Sequence, residues 1–242
     1  MLTALRNTLF SLIYPQECNV CSRQVEDHAD GVACRECWTT TRIFNGSEML
    51  CEKCGAFFGE RAAPVAVFCR QCDDHYYDRA FALGIYEKAL AASIVSLKAK
   101  PSLPSHFHSI IRSSKTLIEL SGIDIIIPIP LSPLRRLERG YNQAEIIADV
   151  VARLLSTPVD KQSLARKLHT PIHRIGMDRK ARELTVKNAF NVTRPKLIEG
   201  KNILLVDDVF TSGATASACA RVLKKNGAIS TNVFTLARAV MN

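Results

Sequence analysis

From about residue 79 onward, short apolar runs alternate with stretches in which apolar residues recur every three or four positions. The short runs are typical of buried strands, and the longer spacing is typical of amphipathic helices. We predict strands at residues 80–86, 123–130, 186–192, 202–206 and 230–236, and helices at 87–100, 106–120, 142–155 and 214–226. This alternation predicts an α/β fold, a parallel sheet flanked by helices. Ligands of such sheets bind beyond the carboxyl ends of the strands.

The first 78 residues follow a different pattern, in which cysteine replaces the apolar repeat. Eight of the nine cysteines form four C-x-x-C pairs, with 12, 13 and 14 residues between successive pairs. Two sulfurs on one tight turn suit a tetrahedral thiolate site for Zn²⁺, so four pairs predict two structural zinc sites. The predicted zinc ligands are Cys18, Cys21, Cys34, Cys37, Cys51, Cys54, Cys69 and Cys72. Sequential pairing would give two stacked zinc ribbons, and a cross-braced pairing is the alternative.

A disulfide framework is the other interpretation of these cysteines. The N-terminal stretch MLTALRNTLFSLIYP has no A-x-A-like cleavage site and predicts an amphipathic helix rather than a signal peptide. We therefore expect a reducing, cytoplasmic location, which favours zinc. The predicted domains are residues 1–78, an N-terminal helix and a double zinc ribbon, and residues 79–242. Cys219, the ninth cysteine, is predicted to be a small buried residue on a helix.

The charge of the chain is unevenly distributed. Residues 1–78 hold 7 Lys/Arg and 11 Asp/Glu, a net −4, whereas the remaining residues hold 25 and 12, a net +13. A basic surface attracts phosphate-bearing partners, either nucleic acid or a small phosphorylated ligand, although a solvated charged face gives the same pattern. No apolar run approaches the roughly 20 residues that span a bilayer, so we expect a soluble protein without a membrane span.

The segment LLVDDVFTSGAT, residues 204–215, contains the strongest candidate site. An apolar strand leads into Asp207 and Asp208, whose carboxylates can accept hydrogen bonds from ribose hydroxyls or bind them through Mg²⁺. A short loop then opens a helix, where backbone N–H groups and hydroxyls favour a phosphate. The loop residues are Thr211, Ser212, Gly213, Ala214 and Thr215. The segment lacks the G-x-x-x-x-G-K pattern of a Walker A motif, and an ordinary capped turn is the alternative.

This segment resembles the phosphoribosyl-pyrophosphate (PRPP) loop of type I phosphoribosyltransferases. PIPLSPLRRLERGYNQAE, residues 128–145, and IVSLKAK, which contains Lys98, resemble two further motifs of the ComF/GntX family, the ComFC-like competence proteins. Together with the cysteine pairs, these motifs extend the resemblance over essentially the full chain. Residues 166–190 depart from the family pattern at His173 and Thr185, which leaves recognition of an acceptor open. The positions of this stretch that fit the pattern are Arg166, Thr170, Arg182, Ala189 and Phe190.

The resemblance implies a type I phosphoribosyltransferase-like domain behind the double zinc ribbon. Asp207 and Asp208 would then contact the ribose hydroxyls with Mg²⁺, and residues 211–215 the 5′-phosphate. Arg135, Arg136 and Arg139, expected in a loop, would lie near the pyrophosphate, with a solvated loop as the alternative.

Three functions follow from these expectations. The first is transfer of phosphoribosyl from PRPP to a nitrogen acceptor, by a protein associated with DNA uptake and natural transformation. The second is a non-catalytic competence factor that senses PRPP and binds single-stranded DNA through its basic C-terminal domain. The third is a regulator that docks partners, including DNA-uptake proteins, through its zinc ribbon.

Overall fold

The computed structural model describes residues 15–60, 65–114, 120, 122–167 and 188–240. Its strands are β1 (Glu48–Leu50), β2 (Phe57–Glu60), β3 (Ala80–Ala82), β4 (Ile125–Pro128), β5 (Leu164–Arg166), β6 (Phe190–Val192), β7 (Asn202–Phe210) and β8 (Ser230–Arg238). Its α-helices are α1 (Arg35–Thr39), α2 (Lys88–Leu97), α3 (Ser105–Ser113), α4 (Pro133–Arg139), α5 (Gln143–Leu155) and α6 (Ala214–Lys225). Within these residues, no helix has the length and apolar character required to cross a bilayer.

A four-stranded sheet in the order β3-β8-β7-β4 forms the centre of the fold, and all its pairings are parallel. Successive side chains of β7 pack into two hydrophobic cores, one on each face of the sheet. Leu204 and Val206 pack with α2, α3 and α5, whereas Ile203 and Leu205 pack with α6. A strand buried on both faces in this way has the near-continuous apolar sequence that predicted it. The predicted parallel sheet with flanking helices is therefore confirmed.

The runs predicted as strands at 80–86 and 123–130 form the shorter strands β3 and β4, and one further predicted strand lies outside this sheet. Of the run at 186–192, the last three residues form β6, which pairs antiparallel with β5 in a separate two-stranded sheet, and residues 186 and 187 lie outside the described residues. Strand β5 was not predicted, because its three residues, LAR, are too few to show an alternation. Part of the helix predicted at 106–120 and the N-terminal helix predicted before residue 15 lie outside the described residues.

The arginine-bearing segment after β4 is a helix, which corrects the expected loop. The side chain of Ser132 accepts a hydrogen bond from the backbone N–H of Arg135 at 3.4 Å and caps the N-terminus of α4. Pro133 occupies the first turn, and Gly140 ends the helix in the left-handed conformation at φ 75°. This order of cap, proline and C-terminal glycine is a known helix signal, and the apolar pattern alone did not reveal it.

The cysteine-rich part packs directly on the sheet and its helices. Trp38 makes an edge contact with the Phe107 ring at 5.6 Å between centroids, which joins the first cysteine group to α3. A Cβ atom at Gly84 would lie 2.2 Å from the carbonyl oxygen of Arg42, so only glycine permits this close backbone approach. The cysteine-rich part therefore shares its interior with the α/β domain.

Candidate functional site

The eight predicted zinc ligands form two groups of four sulfurs. The first contains Cys18, Cys21, Cys34 and Cys37, and the second contains Cys51, Cys54, Cys69 and Cys72. Within each group the ligand atoms all lie within 4.8 Å of one another. This resolves the two alternatives in favour of sequential pairing over cross-bracing.

The sulfur geometry fits Zn²⁺. A tetrahedral site with Zn–S bonds of about 2.3 Å places neighbouring sulfurs about 3.8 Å apart. The observed Cys18–Cys37 and Cys51–Cys72 separations are both 3.7 Å. Backbone N–H groups also donate to sulfur, as Cys69 does to Cys51 Sγ at 3.3 Å. Zn²⁺ would stabilise the fold here, because all four coordination positions are taken by thiolates.

Backbone amides also favour the thiolate form that zinc requires. Burial alone would raise the pKa of the Cys51 thiol, but N–H groups of Cys54, Cys69 and Lys53 lower it to about 7. In the first group, the backbone and side chain of Arg23 lower the pKa of Cys21 to about 6. Each group therefore contains a sulfur with a lowered pKa beside others, Cys37 and Cys72, whose pKa burial raises.

Asp207 and Asp208 lie at the carboxyl end of β7, at the edge of the sheet where ligands of parallel sheets bind. Both are partly exposed and belong to the strand itself, since β7 continues to Phe210 beyond its predicted end. Asp207 Oδ1 accepts from the N–H of Asp208, and Asp208 Oδ1 accepts from the N–H of Val209. Desolvation and the neighbouring charge of Asp208 raise the pKa of Asp207 to about 7.

Residues 211–215, here called the phosphate loop, comprise the turn after β7 and the first two residues of α6. Gly213 has a left-handed φ of 78° and serves as the N-cap of α6. Because the N-cap residue is glycine, it offers no side-chain hydrogen bond to the N-terminus of α6. The neighbouring Ser212 Oγ accepts from the N–H of Ala214 at 3.4 Å. The first backbone N–H groups of a helix have no partner within it and attract an anion. A cavity of about 40 Å³, bordered by Asp207, Gly213 and Thr235, adjoins this loop.

Two cations act on the Asp207 carboxylate from other parts of the fold. Lys98 follows α2 and Arg166 ends β5, and the charge of each lowers the pKa of Asp207 against the larger raising effects. The Arg166 guanidinium also lies 5.4 Å from the centre of the Phe190 ring. The sequence drew attention to both residues only as family positions, since no local spacing connects them to Asp207.

The three arginines that were predicted to lie near the pyrophosphate are on α4 and not in a loop. Arg136 forms an ion pair with Glu145 of α5, whereas Arg135 and Arg139 are partly buried. The segment leaving β4 lies beside the carboxyl end of β7, because the N–H of Ile129 donates to the carbonyl of Val206. Helix α4 thus begins near the aspartate pair. The role of its arginines stays a prediction.

The family positions between β5 and β6 are only partly described. Arg166, Ala189 and Phe190 are in the structure, whereas Thr170, His173, Arg182 and Thr185 lie outside the described residues. Cys219 is fully buried in α6, as predicted.

Comparison with known proteins gives two kinds of similarity. The double zinc ribbon domain family matches residues 9–73. Competence protein F of Haemophilus influenzae is 31% identical over 183 residues, which cover 72% of this chain and 80% of that protein. Competence protein ComFC of Bacillus subtilis is 33% identical over 120 residues, 48% of this chain and 45% of that protein.

Among solved structures, the chain is similar to the glutamine PRPP amidotransferase of B. subtilis complexed with ADP and GMP. The identity is 20% and the TM-score 0.34, over 50% of this chain and 24% of the other. The similarity to the H. influenzae relative covers most of both chains. The chain therefore belongs to the ComF/GntX family, with a parallel α/β domain joined to a double zinc ribbon.

Proposed function

We propose that this protein binds PRPP with Mg²⁺ at the end of β7 and transfers its phosphoribosyl group to a nitrogen acceptor. The observation that carries the proposal is the position of Asp207 and Asp208 beside the amide-lined start of α6. Carboxylates suit ribose hydroxyls and Mg²⁺, and a helix N-terminus suits a phosphate. The two features together match the two ends of a ribose 5-phosphate.

In the proposed reaction, the acceptor nitrogen forms a bond to C1 of the ribose. The bond from C1 to the pyrophosphate oxygen breaks with its electron pair on the leaving group, and the nitrogen releases a proton to water. Bound Mg²⁺ would neutralise charge on the pyrophosphate. The protein supplies the position of the ribose and positive charge, for which Lys98 and Arg166 are candidates because both act on Asp207.

The biological setting is proposed from the relatives. These relatives are named competence proteins and, in Escherichia coli K12, DNA utilization protein YhgH, which is 31% identical over 48% of this chain and 50% of its own. We propose that this protein acts in DNA uptake and natural transformation.

The test is calorimetric titration of the zinc-loaded protein with PRPP, with and without Mg²⁺. We expect binding that requires Mg²⁺ and is lost in Asp207→Asn/Asp208→Asn. A matched control is Asp124→Asn, at the opposite end of the sheet, where the carboxylate accepts from the N–H of Asn202. Absence of wild-type binding at millimolar PRPP would refute the proposal. Pyrophosphate release with candidate acceptors then tests turnover.

A second candidate function is single-stranded DNA binding without catalysis. The net +13 of residues 79–242 favours it, since phosphate contacts by Lys and Arg dominate such affinity. Anisotropy titration of a labelled oligonucleotide at several salt concentrations tests this function. Arg135→Ala/Arg136→Ala should flatten the salt dependence, whereas Asp207→Asn/Asp208→Asn should preserve or strengthen binding.

A further inference from the structure

We propose that the second cysteine group, and not the first, positions the phosphate loop through the chain that follows it. This chain, residues 73–78, is here called the backing segment. The consequence for ligand affinity rests on the proposed function, whereas the effect on loop order does not. His75, Tyr77 and Arg238 are the positioning residues in this proposal, and none of them is assigned to contact the ligand.

The backing segment leaves no room behind the phosphate loop. A Cβ atom at Gly213 would lie 3.0 Å from His75 Cε1, 3.0 Å from the Tyr77 hydroxyl and 2.7 Å from Phe210 Cζ. Real Cβ atoms are essentially never found closer than 3.0 Å to a neighbour. Gly213 is therefore held between β7 and the backing segment at the position where α6 begins.

Three consecutive residues of the backing segment make this contact specific. The Tyr77 hydroxyl lies 2.7 Å from His75 Nδ1, and its ring meets the Phe210 ring edge-on at 5.7 Å. Tyr77 is fully buried at 1% exposure. The N–H of Tyr76 donates to Ser217 Oγ in α6 at 3.1 Å. The segment thus contacts the loop, the strand before it and the helix after it.

The same contacts lead back to the second cysteine group. The N–H of His75 donates to the carbonyl of Cys72 at 3.1 Å. The buried Arg238 donates to the carbonyl of Cys54 and lies 3.4 Å from Cys54 Sγ. Its guanidinium also lies 4.6 Å from the centre of the Phe210 ring. Two independent routes, through Cys72 and through Cys54, therefore connect the sulfur group with residues that enclose Gly213.

In the described part of the chain, the residues around the first cysteine group contact α2 and α3. Trp38 packs on Phe107 of α3, and Lys88 Nζ at the start of α2 donates to the carbonyl of Thr40. This group belongs to the core on the other face of the sheet from α6. It provides a matched internal control with the same ligand chemistry.

The main experiment compares Cys51→Ser/Cys54→Ser with Cys18→Ser/Cys21→Ser in the full chain without ligand. Zinc content is measured first, and each variant should lose one of two ions. Hydrogen exchange by mass spectrometry then follows peptides that contain the phosphate loop. We expect exchange there to be at least about tenfold faster when the second site is lost, and within about twofold of wild type when the first is lost. Equal effects of the two variants, or an unchanged loop after loss of the second zinc, would overturn the proposal.

A milder pair of variants covers the case in which a cysteine variant does not fold. Tyr77→Phe keeps the ring and removes the hydroxyl beside His75. Trp38→Phe is its control, because it removes the Nε1–H donation to the Asp30 carbonyl beside the first site. With both zinc ions retained, Tyr77→Phe should speed exchange in the loop by about two- to tenfold, the net effect of one hydrogen bond. Trp38→Phe should leave the loop unchanged. If the two variants change hydrogen exchange in the phosphate loop equally, the proposal is contradicted, even if both lower the melting temperature.

PRPP titration of the same variants separates this inference from the proposed function. If wild type binds PRPP, Tyr77→Phe should raise the dissociation constant for PRPP to the extent that it lowers the fraction of protein with an ordered loop, and Trp38→Phe should leave it unchanged. If wild type binds none, the proposed function fails, and the exchange data in the free protein still decide whether the second site positions the loop.

Discussion

The cysteine-rich part and the α/β domain reach a buried interior by opposite means. In the former, six of the eight paired cysteines are buried, and the ligand sulfurs themselves form much of the interior. In the latter, four consecutive apolar residues of β7, Ile203 to Val206, are fully buried on the two faces of a parallel sheet. The cysteine-rich interior depends on metal ligands that are close together in the sequence, whereas the interior of the α/β domain depends on pairing between strands that are distant in the sequence. The two interiors meet at Trp38 and Phe107 and again at Tyr77 and Phe210, and the second of these contacts adjoins the candidate site.

Zinc removal is the largest test of this comparison. Structural zinc in small domains contributes on the order of 10 kcal/mol to folding, so a strong chelator should unfold the cysteine-rich part. Because both cysteine groups also belong to the cores on the two faces of the sheet, we expect the α/β domain to lose stability with them. Scanning calorimetry with zinc analysis measures this effect. An unchanged transition of the α/β domain in zinc-free protein would show that the two interiors are independent.

Gly213→Ala tests the point of contact itself. The substitution adds a side chain at φ 78°, where the new Cβ would meet Phe210, His75 and Tyr77. We expect a loss of about 1–3 kcal/mol in the free energy of unfolding, together with weaker PRPP binding. Urea denaturation gives the first value and calorimetry the second. Gly122→Ala is the matched control, because it also has a positive φ but nothing within 4 Å of the added Cβ. An equal loss of stability in both variants would assign the whole effect to backbone strain.

Asp207→Asn tests the charge at the end of β7. In the folded protein the pKa of Asp207 is raised from 3.8 to about 7, so the protonated carboxyl increases the free energy of unfolding. This contribution is fully present below the pKa that the residue has in the unfolded chain. It is lost as the pH rises through about 7. Asparagine stays neutral, so the variant should gain in melting temperature over wild type as the pH rises towards 7, with no further gain above pH 8.

A series of melting curves between pH 4 and pH 8 measures this difference. Asp149→Asn is the control, since that carboxylate pairs with Lys161 at the surface. A constant difference between Asp207→Asn and wild type across the series would contradict the raised pKa. In the proposed function, the ionised pair is the form that would hold Mg²⁺, so PRPP affinity should increase over the same interval.

The sequence predicted the parts of this fold that local patterns encode. The cysteine spacing gave both metal groups, the apolar run gave β7, and the order of Asp207, Asp208 and Gly213 gave the candidate site. Contacts between distant residues were not accessible in this way. Neither the position of Tyr77 behind Gly213 nor that of Arg166 near Asp207 leaves a trace in local spacing, because each depends on how separate elements pack.

The arginines of α4 give the smallest expected effect. Arg136 pairs with Glu145, and their side chains are 49% and 20% exposed. An exposed pair of this kind contributes about 0–1 kcal/mol, so Arg136→Ala should change the free energy of unfolding by less than about 1 kcal/mol. The variant therefore isolates the ligand contribution of the arginine. A large drop in PRPP affinity would place α4 beside the pyrophosphate, and a drop in DNA affinity with a flatter salt dependence would assign it to nucleic acid. No change in either affinity would leave α4 as a solvated helix, in which case the site is confined to β7, the phosphate loop and the cations near Asp207.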